Sequence, residues 1–291
     1  MTTHTSTDSS TSTPAGAAGT FRLGGDLEVV RLGFGAMRIT GPGIWGPPAD
    51  PDEAIRVLRR AVELGITFID TADSYGPNVS EELIAEALHP YADGLVIATK
   101  AGLTRQGPDR WIPVGRPAYL RQQAELSLRK LRVERLDLFQ LHRIDGEVPM
   151  EDQVGELKAL QDEGKVHHLG LSEVSVEELQ AAQQIAPIAS VQNKFSLGDR
   201  ASQALLDHCT EQGIAFIPWR PVADHVDDEA LREVAAAHDA TASQVALAWL
   251  LRLSPVMVPI PGTSSVAHLE ENTAAASLEL SDQEFERLSA G

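Results

Sequence analysis

The chain has 291 residues, 43% of them hydrophobic, and carries 24 basic against 42 acidic side chains for a net charge of −18. That excess of negative charge disfavours nucleic acid and anionic membrane surfaces as partners, since both would repel it. The single cysteine, Cys209, excludes an internal disulfide and fits a reducing compartment; it falls in a helical pattern and reads as a small core residue.

Residues 1–19 are rich in Ser, Thr, Ala and Gly, with neither a basic start nor an apolar run, which predicts a disordered tail and no secretory signal. No segment approaches 18 consecutive apolar residues, so no membrane span is expected and the protein reads as cytoplasmic. The next stretch, "FRLGGDLEVV", alternates on both sides of Gly24-Gly25-Asp26 and predicts a β-hairpin able to plug the bottom of a barrel. Strand-like runs then follow near 30–35, 66–70, 95–99, 136–141, 167–171, 188–192, 214–218 and 256–260. Helical patterns lie at 51–64, 80–88, 117–131, 150–163, 176–185, 199–212, 229–251 (broken near 239–241) and 265–275. Ala54, Val57, Leu58, Ala61 and Leu64 show the three-and-four spacing. Pro51 and Pro117 sit at helix starts, and Gly65, Gly164 and Gly213 where helices end.

Eight β-then-α units imply parallel strands. They predict the α/β class and a (β/α)8 TIM barrel over residues 20–291, with the hairpin at its N-terminus. A doubly wound open sheet is the alternative, and its mark is a glycine-rich dinucleotide loop. Gly41, Gly43 and Gly46 satisfy G-x-G-x-x-G, but Pro42, Pro47 and Pro48 keep a helix from opening on them, so the segment reads as a turn-rich loop.

In a barrel the carboxyl ends of the strands share one rim. Asp70 and Tyr75 follow the second strand, Lys100 the third, His142 and Arg143 the fourth, Ser172 and Glu173 the fifth. Gln192 and Asn193 follow the sixth, Trp219 and Arg220 the seventh, Gly262 and Thr263 the eighth. Each alone has a plain structural explanation. Together they bring a tyrosine, a lysine, a carboxylate and a histidine to one place. A lysine beside a phenol, itself held by a carboxylate, is expected to lower the phenol's pKa from about 10 and let it protonate a developing alkoxide. His142 would orient the carbonyl.

Asp70, Tyr75, Lys100 and His142, in this order after successive strands, resemble the catalytic tetrad of the aldo-keto reductases. The similarity runs from about residue 21 to 289 through "LGFGAM", "FIDTADSYG", "IATK", "LDLFQLHR", "GLSE", "VQNKFS", "IPWRP" and "IPGTSSVAHLEEN". "GPGIWGPP" and the last motif most resemble bacterial pyridoxal-reductase-like members. The resemblance implies NADPH-dependent reduction of an aldehyde or ketone, with Tyr75 as acid, Lys100 and Asp70 tuning it, and His142 placing the carbonyl. It assigns Ser172 and Gln192 to the nicotinamide amide and Trp219 to the ring. Gly262, Thr263, His268, Glu271 and Asn272 fall to the adenosine phosphate. Four positions depart from the pattern. Glu173 stands where many members have Asn; Gly262 and His268 replace a lysine and an arginine that grip the 2′-phosphate, which keeps NADH open as the alternative cofactor; and Arg220 replaces a small residue.

Loops at 40–50, 101–117 and 220–228 should set specificity, with Trp45 and Trp111 lining the pocket. With 265–275 read as the last helix, no long C-terminal loop is expected over it. The rival readings are a non-enzymatic barrel that senses nicotinamide cofactor for a partner protein, and a phosphate-binding isomerase or lyase on the same fold. Oligomeric state and the particular carbonyl are not legible.

Overall fold

The computed structural model describes residues 13–222 and 229–290. Strands β1 (Thr20–Leu23) and β2 (Leu27–Val30) form the expected antiparallel hairpin. The parallel strands are β3 (Phe34–Gly35), β4 (Phe68–Asp70), β5 (Val96–Ala101), β8 (Leu136–Leu141), β9 (Val166–Ser172), β10 (Ile188–Gln192) and β11 (Ala215–Phe216), hydrogen-bonded in the order β11-β10-β9-β8-β5-β4-β3. A small antiparallel pair, β6 (Leu103–Arg105) with β7 (Trp111–Pro113), rises from the loop after β5.

The eighth strand expected at 256–260 is reduced to a single parallel bridge between Phe216 and Met257. Pro255, Pro259 and Pro261 remove the N–H groups that a ladder needs. The segment still closes the barrel. Phe216 donates to Val256 O (2.9 Å) and receives from Val258 N (2.8 Å), while Gly33 N reaches Pro259 O (3.0 Å) beside β3.

Helices α1 (Pro51–Glu63), α2 (Val79–Leu88), α3 (Pro117–Leu131), α4 (Met150–Asp162), α5 (Val176–Gln183), α6 (Gln203–Gln212), α7 (Glu229–Ala237), α8 (Ala242–Leu253), α9 (Val266–Ala274) and α10 (Asp282–Ser289) alternate with the strands and then follow them. On α1 the buried residues are Ala54, Val57, Leu58 and Ala61, as the spacing requires. The expected helix 229–251 divides into α7 and α8, and α8 starts on a capping box between Thr241 and Gln244. The same device, Ser281 with Glu284, starts α10. The sequence reading missed this helix although its capping signature is plain. It packs on the helical layer outside the barrel: Phe285 stacks against Trp249 of α8, and Trp249 Nε1 donates to Ser289 Oγ (2.9 Å).

Two cores result. One lies between helices and sheet. The other fills the barrel: Phe68, Val96, Ala98, Leu138, Ala189, Ala215, Ile217, Val258 and Ile260 from the wall, with Leu23 and Val29 of the hairpin closing the floor. Cys209 is buried in the outer core, where burial pushes its thiol up to about 12. Residues 1–12 of the expected tail lie outside the described residues. Residues 13–19 do not belong to a tail: Ala15–Ala18 form a 3-10 turn, Ala15 is fully buried, and its N–H donates to Leu64 O (3.0 Å). Small side chains that leave a sequence looking featureless are what allow this turn to press against the barrel.

Candidate active site

The rim forms because the last residues of neighbouring strands are in register. Asp70 ends β4, Lys100 and Gln140 are direct partners across β5 and β8, and Ser172 pairs with Gln192 across β9 and β10. Lys100 is fully buried, and Tyr75 and His142 are 7% and 6% exposed. Lys100 Nζ donates to Asp70 Oδ1 (2.5 Å), to Thr71 O (2.7 Å) and, at the long limit, to the Tyr75 hydroxyl (3.4 Å). The other carboxylate oxygen, Asp70 Oδ2, accepts from Gln140 Nε2 (3.0 Å) and Gln192 Nε2 (2.9 Å). A buried ion pair survives only when its remaining donors and acceptors are satisfied, and these two amides meet that need.

Burial pulls the Lys100 pKa down, yet Asp70 and Tyr75 together hold it above its ordinary value. The Tyr75 hydroxyl goes up as well, against the sequence-based expectation. Burial raises it, and Lys100 offsets only part of that because its nearest partner is Asp70. Tyr75 therefore stays a protonated phenol. His142 is driven well below the usual imidazole range, by burial first and then by Lys100, Arg143 and Arg105, and is neutral. Ser74 Oγ lies 3.3 Å from His142 Nδ1; when that hydroxyl donates, the ring proton sits on Nε2.

The two expected pocket tryptophans differ. Trp111 on β7 meets Tyr75 and His142 edge-on, each at 6.3 Å between ring centroids. Trp45 is more exposed and reaches this group through Arg105, whose guanidinium lies 3.6 Å from the Trp111 ring centroid and 5.7 Å from that of Trp45. The glycines at 41, 43 and 46 lie in a turn-rich segment that holds one three-residue 3-10 turn, Pro42–Ile44, and no α-helix opens on them. Of the loop at 220–228, residues 223–228 lie outside the described residues.

Among residues expected at the cofactor, Trp219 is half-buried and its indole N–H donates to Glu173 Oε1 (2.5 Å), which also accepts from Lys194 N (2.7 Å). Glu173 holds a left-handed backbone, φ +56°. Asn tolerates that region better than Glu, so the departure at 173 exchanges backbone ease for a fixed tryptophan. Ser172 Oγ accepts from Arg143 (3.0 Å), and Gln192 is engaged with Asp70 as described. Gly262 has a steric reason: a Cβ there would lie 2.5 Å from Gly35 O on β3. A lysine does not fit. At the start of α9, Ser265 stands at the N-cap position without making a side-chain cap. His268 is exposed, Asn272 is buried, and Glu271 accepts from the Thr241 hydroxyl (2.8 Å). The first N–H of α9, at Val266, donates to Glu53 Oε1 (3.2 Å), a carboxylate at the point where an anion was expected.

Four participants were missed by reading the sequence: Gln140, Ser74, Arg105 and Glu53. Gln140 had a signal, since Leu136, Leu138 and Gln140 alternate on one face and a glutamine there points where leucines point. The others are brought in by contacts between distant segments.

An oxidoreductase from Schizosaccharomyces pombe is 51% identical over 285 residues, covering 97% of this chain and 92% of that protein. The pyridoxine 4-dehydrogenase of Escherichia coli K12 is 44% identical over 275 residues, covering 92% and 96%. A crystal structure of an aldo-keto reductase from Klebsiella pneumoniae in complex with NADPH superposes with a TM-score of 0.79 at 27% identity, covering 93% of this chain and 94% of that one. Fold and relatives together define an oxidoreductase built on an α/β barrel. The family model for the Aldo/keto reductase family matches residues 31–290, and the chain belongs to that family.

Proposed function

We propose that this protein reduces the carbonyl group of a small aldehyde or ketone to an alcohol with NADPH, and that Tyr75 supplies the proton. The observation that carries the reading is the buried Tyr75 hydroxyl beside a Lys100–Asp70 pair whose own partners are complete. The bound dihydronicotinamide would supply the hydride. Trp219, held by Glu173, and Ser172 would receive its ring end, and Gln192 would reach it as well as Asp70. The start of α9, whose first N–H is engaged by Glu53, would with Gly262, Thr263, His268, Glu271 and Asn272 receive the adenosine phosphate, since helix N–H groups favour an anion.

With a carbonyl oxygen against Tyr75, the phenol donates its proton to the oxygen as negative charge develops there. Lys100 stabilises the phenolate left behind. Neutral His142, with its proton on Nε2, donates a second hydrogen bond to the same oxygen and fixes its direction. Because burial keeps Tyr75 protonated through neutral pH, proton delivery persists there and declines only at strongly alkaline pH.

Pyridoxal is the first substrate to try. The pyridoxine 4-dehydrogenase relative favours it, and so do Trp111 and His142, which give the pocket flat walls for a ring. The test is a panel of aldehydes and ketones, pyridoxal included, assayed with NADPH and NADH on wild type and Tyr75→Phe. The variant should bind NADPH as wild type does, by quenching of tryptophan fluorescence. It should lose about 10²- to 10⁴-fold in kcat, the range for general acid catalysis. Full kcat in the variant would refute the assignment of the acid.

A further inference from the structure

At the opposite end of the barrel from Tyr75, the tip of the N-terminal hairpin lies against β9. Among the described residues, Asp26, His167 and His168 place one carboxylate and two imidazoles so that their donor atoms all lie within 4.8 Å of one another. His167 Nε2 is 2.9 Å from Asp26 Oδ2, and His168 Nε2 is 2.6 Å from Asp26 Oδ1. Consecutive strand residues ordinarily point to opposite faces. Here the two rings instead tilt together, 4.2 Å between centroids, so that both Nε2 atoms address a single side chain.

The hairpin is shaped to this cluster. Gly24 has φ +63°, and a Cβ on it would stand 2.2 Å from His168 Cε1. Only a glycine lets the turn lie flat on the imidazole, and that contact holds Nε2 toward Asp26. The His168 side chain is 16% exposed and that of His167 23%, whereas Asp26 is 57% exposed and stands at the open side.

We propose that Asp26, His167 and His168 form a binding site for one divalent transition-metal ion of the zinc class, which pins the barrel's plug to its wall. Two neutral imidazoles and a carboxylate suit zinc, cobalt or nickel better than magnesium or calcium, which prefer all-oxygen shells. With ligand bonds of about 2.0–2.2 Å in a tetrahedral site, donor atoms stand roughly 3.3–3.5 Å apart. The two nitrogen–oxygen separations are shorter than this, by about 0.5 Å at His167 and about 0.8 Å at His168. Asp26 can withdraw by that amount, because its exposed side chain ends a hairpin turn. Each ring then carries its proton on Nδ1 and presents the Nε2 lone pair, and water completes the coordination. The site is independent of the carbonyl chemistry at the rim.

The test is titration of the metal-free, full-length protein with zinc sulfate by calorimetry, and location of the ion by anomalous scattering at the zinc edge in crystals of the wild type. One equivalent should bind, with the anomalous peak between the three side chains, and zinc should raise the melting temperature. Asp26→Asn and His168→Gln should each weaken zinc binding by about tenfold or more and abolish the thermal shift. Failure to bind zinc, binding unchanged in both variants, or a peak elsewhere would overturn the proposal. The wild-type crystal decides the matter even if a variant misfolds.

Discussion

Arg105 shows how much of the proposed substrate mouth can depend on one side chain. Its Nε donates to Arg110 O (3.1 Å), Nη1 to Ile44 O (2.7 Å) and Ser74 O (2.9 Å), and Nη2 to Gly43 O (2.8 Å) and Gly107 O (3.3 Å), while its plane covers Trp111. All five N–H groups of the guanidinium are used on backbone carbonyls, so it clamps three loops together and has none left for an anionic substrate. Lysine has three donors on a flexible stem and no planar face. Arg105→Lys should therefore raise KM for the carbonyl about tenfold, roughly 1.4 kcal/mol of lost binding, with kcat changed less than about twofold and NADPH affinity preserved. Steady-state kinetics with a fluorescence titration of cofactor reads all three. A fall in kcat with KM unchanged would place Arg105 in the chemistry instead.

At the scale of elements, the start of α9 is the segment where sequence and structure pull apart. The loop before it passes β3 backbone against backbone, which excludes a side chain at Gly262, and Glu53 from α1 occupies the first N–H at Val266. Arg56 in turn pairs with Glu53 at 2.7 Å. A 2′-phosphate at this terminus would meet a helix dipole that attracts it and a carboxylate that repels it. Glu53→Gln should accordingly tighten NADPH by about three- to tenfold, the effect of one partly screened charge, and leave NADH within about twofold. Separate dissociation constants for the two cofactors test this; equal gains would mean that the phosphate does not sit there. The helix pattern 265–275 was legible from its apolar spacing. The identity of its partner at the N-terminus was not, because Glu53 lies 213 positions earlier.

For the molecule as a whole, the barrel is closed in two unlike ways. Its wall is completed by the three hydrogen bonds that tie 256–260 to β11 and to Gly33 beside β3, and its floor by Leu23 and Val29 of the hairpin, both fully buried. The floor belongs to the interior core that positions the strands, so truncating it should weaken the fold and leave the rim chemistry alone. Leu23→Ala should cost about 2–5 kcal/mol in urea denaturation, with KM and kcat unchanged at temperatures where the variant is folded. A loss of activity in step with the Tyr75 variant would contradict that separation. Among the described residues no helix is long and apolar enough to cross a membrane.

The alternation of strand and helix, the hairpin, the placement of Asp70, Tyr75, Lys100 and His142 beyond successive strands and the turn-rich loop at Gly41–Gly46 were all determined by the sequence. Each depends on periodicity, turn chemistry or position after a strand, which are local properties. Local patterns fell short at residues 13–19, at the eighth strand and at α10. Small side chains, three prolines and a short helix gave little periodicity to read, although α10 announced itself in Ser281 and Glu284. Only the tertiary structure decided that Tyr75 has its pKa raised, that Glu173 holds Trp219, that Arg105 spends every donor on loops, and that Asp26 meets two histidines across the barrel floor. Those outcomes depend on burial and on distances between segments remote in the chain, and a carboxylate two residues from a glycine reads the same in sequence whichever side chain folding brings against it.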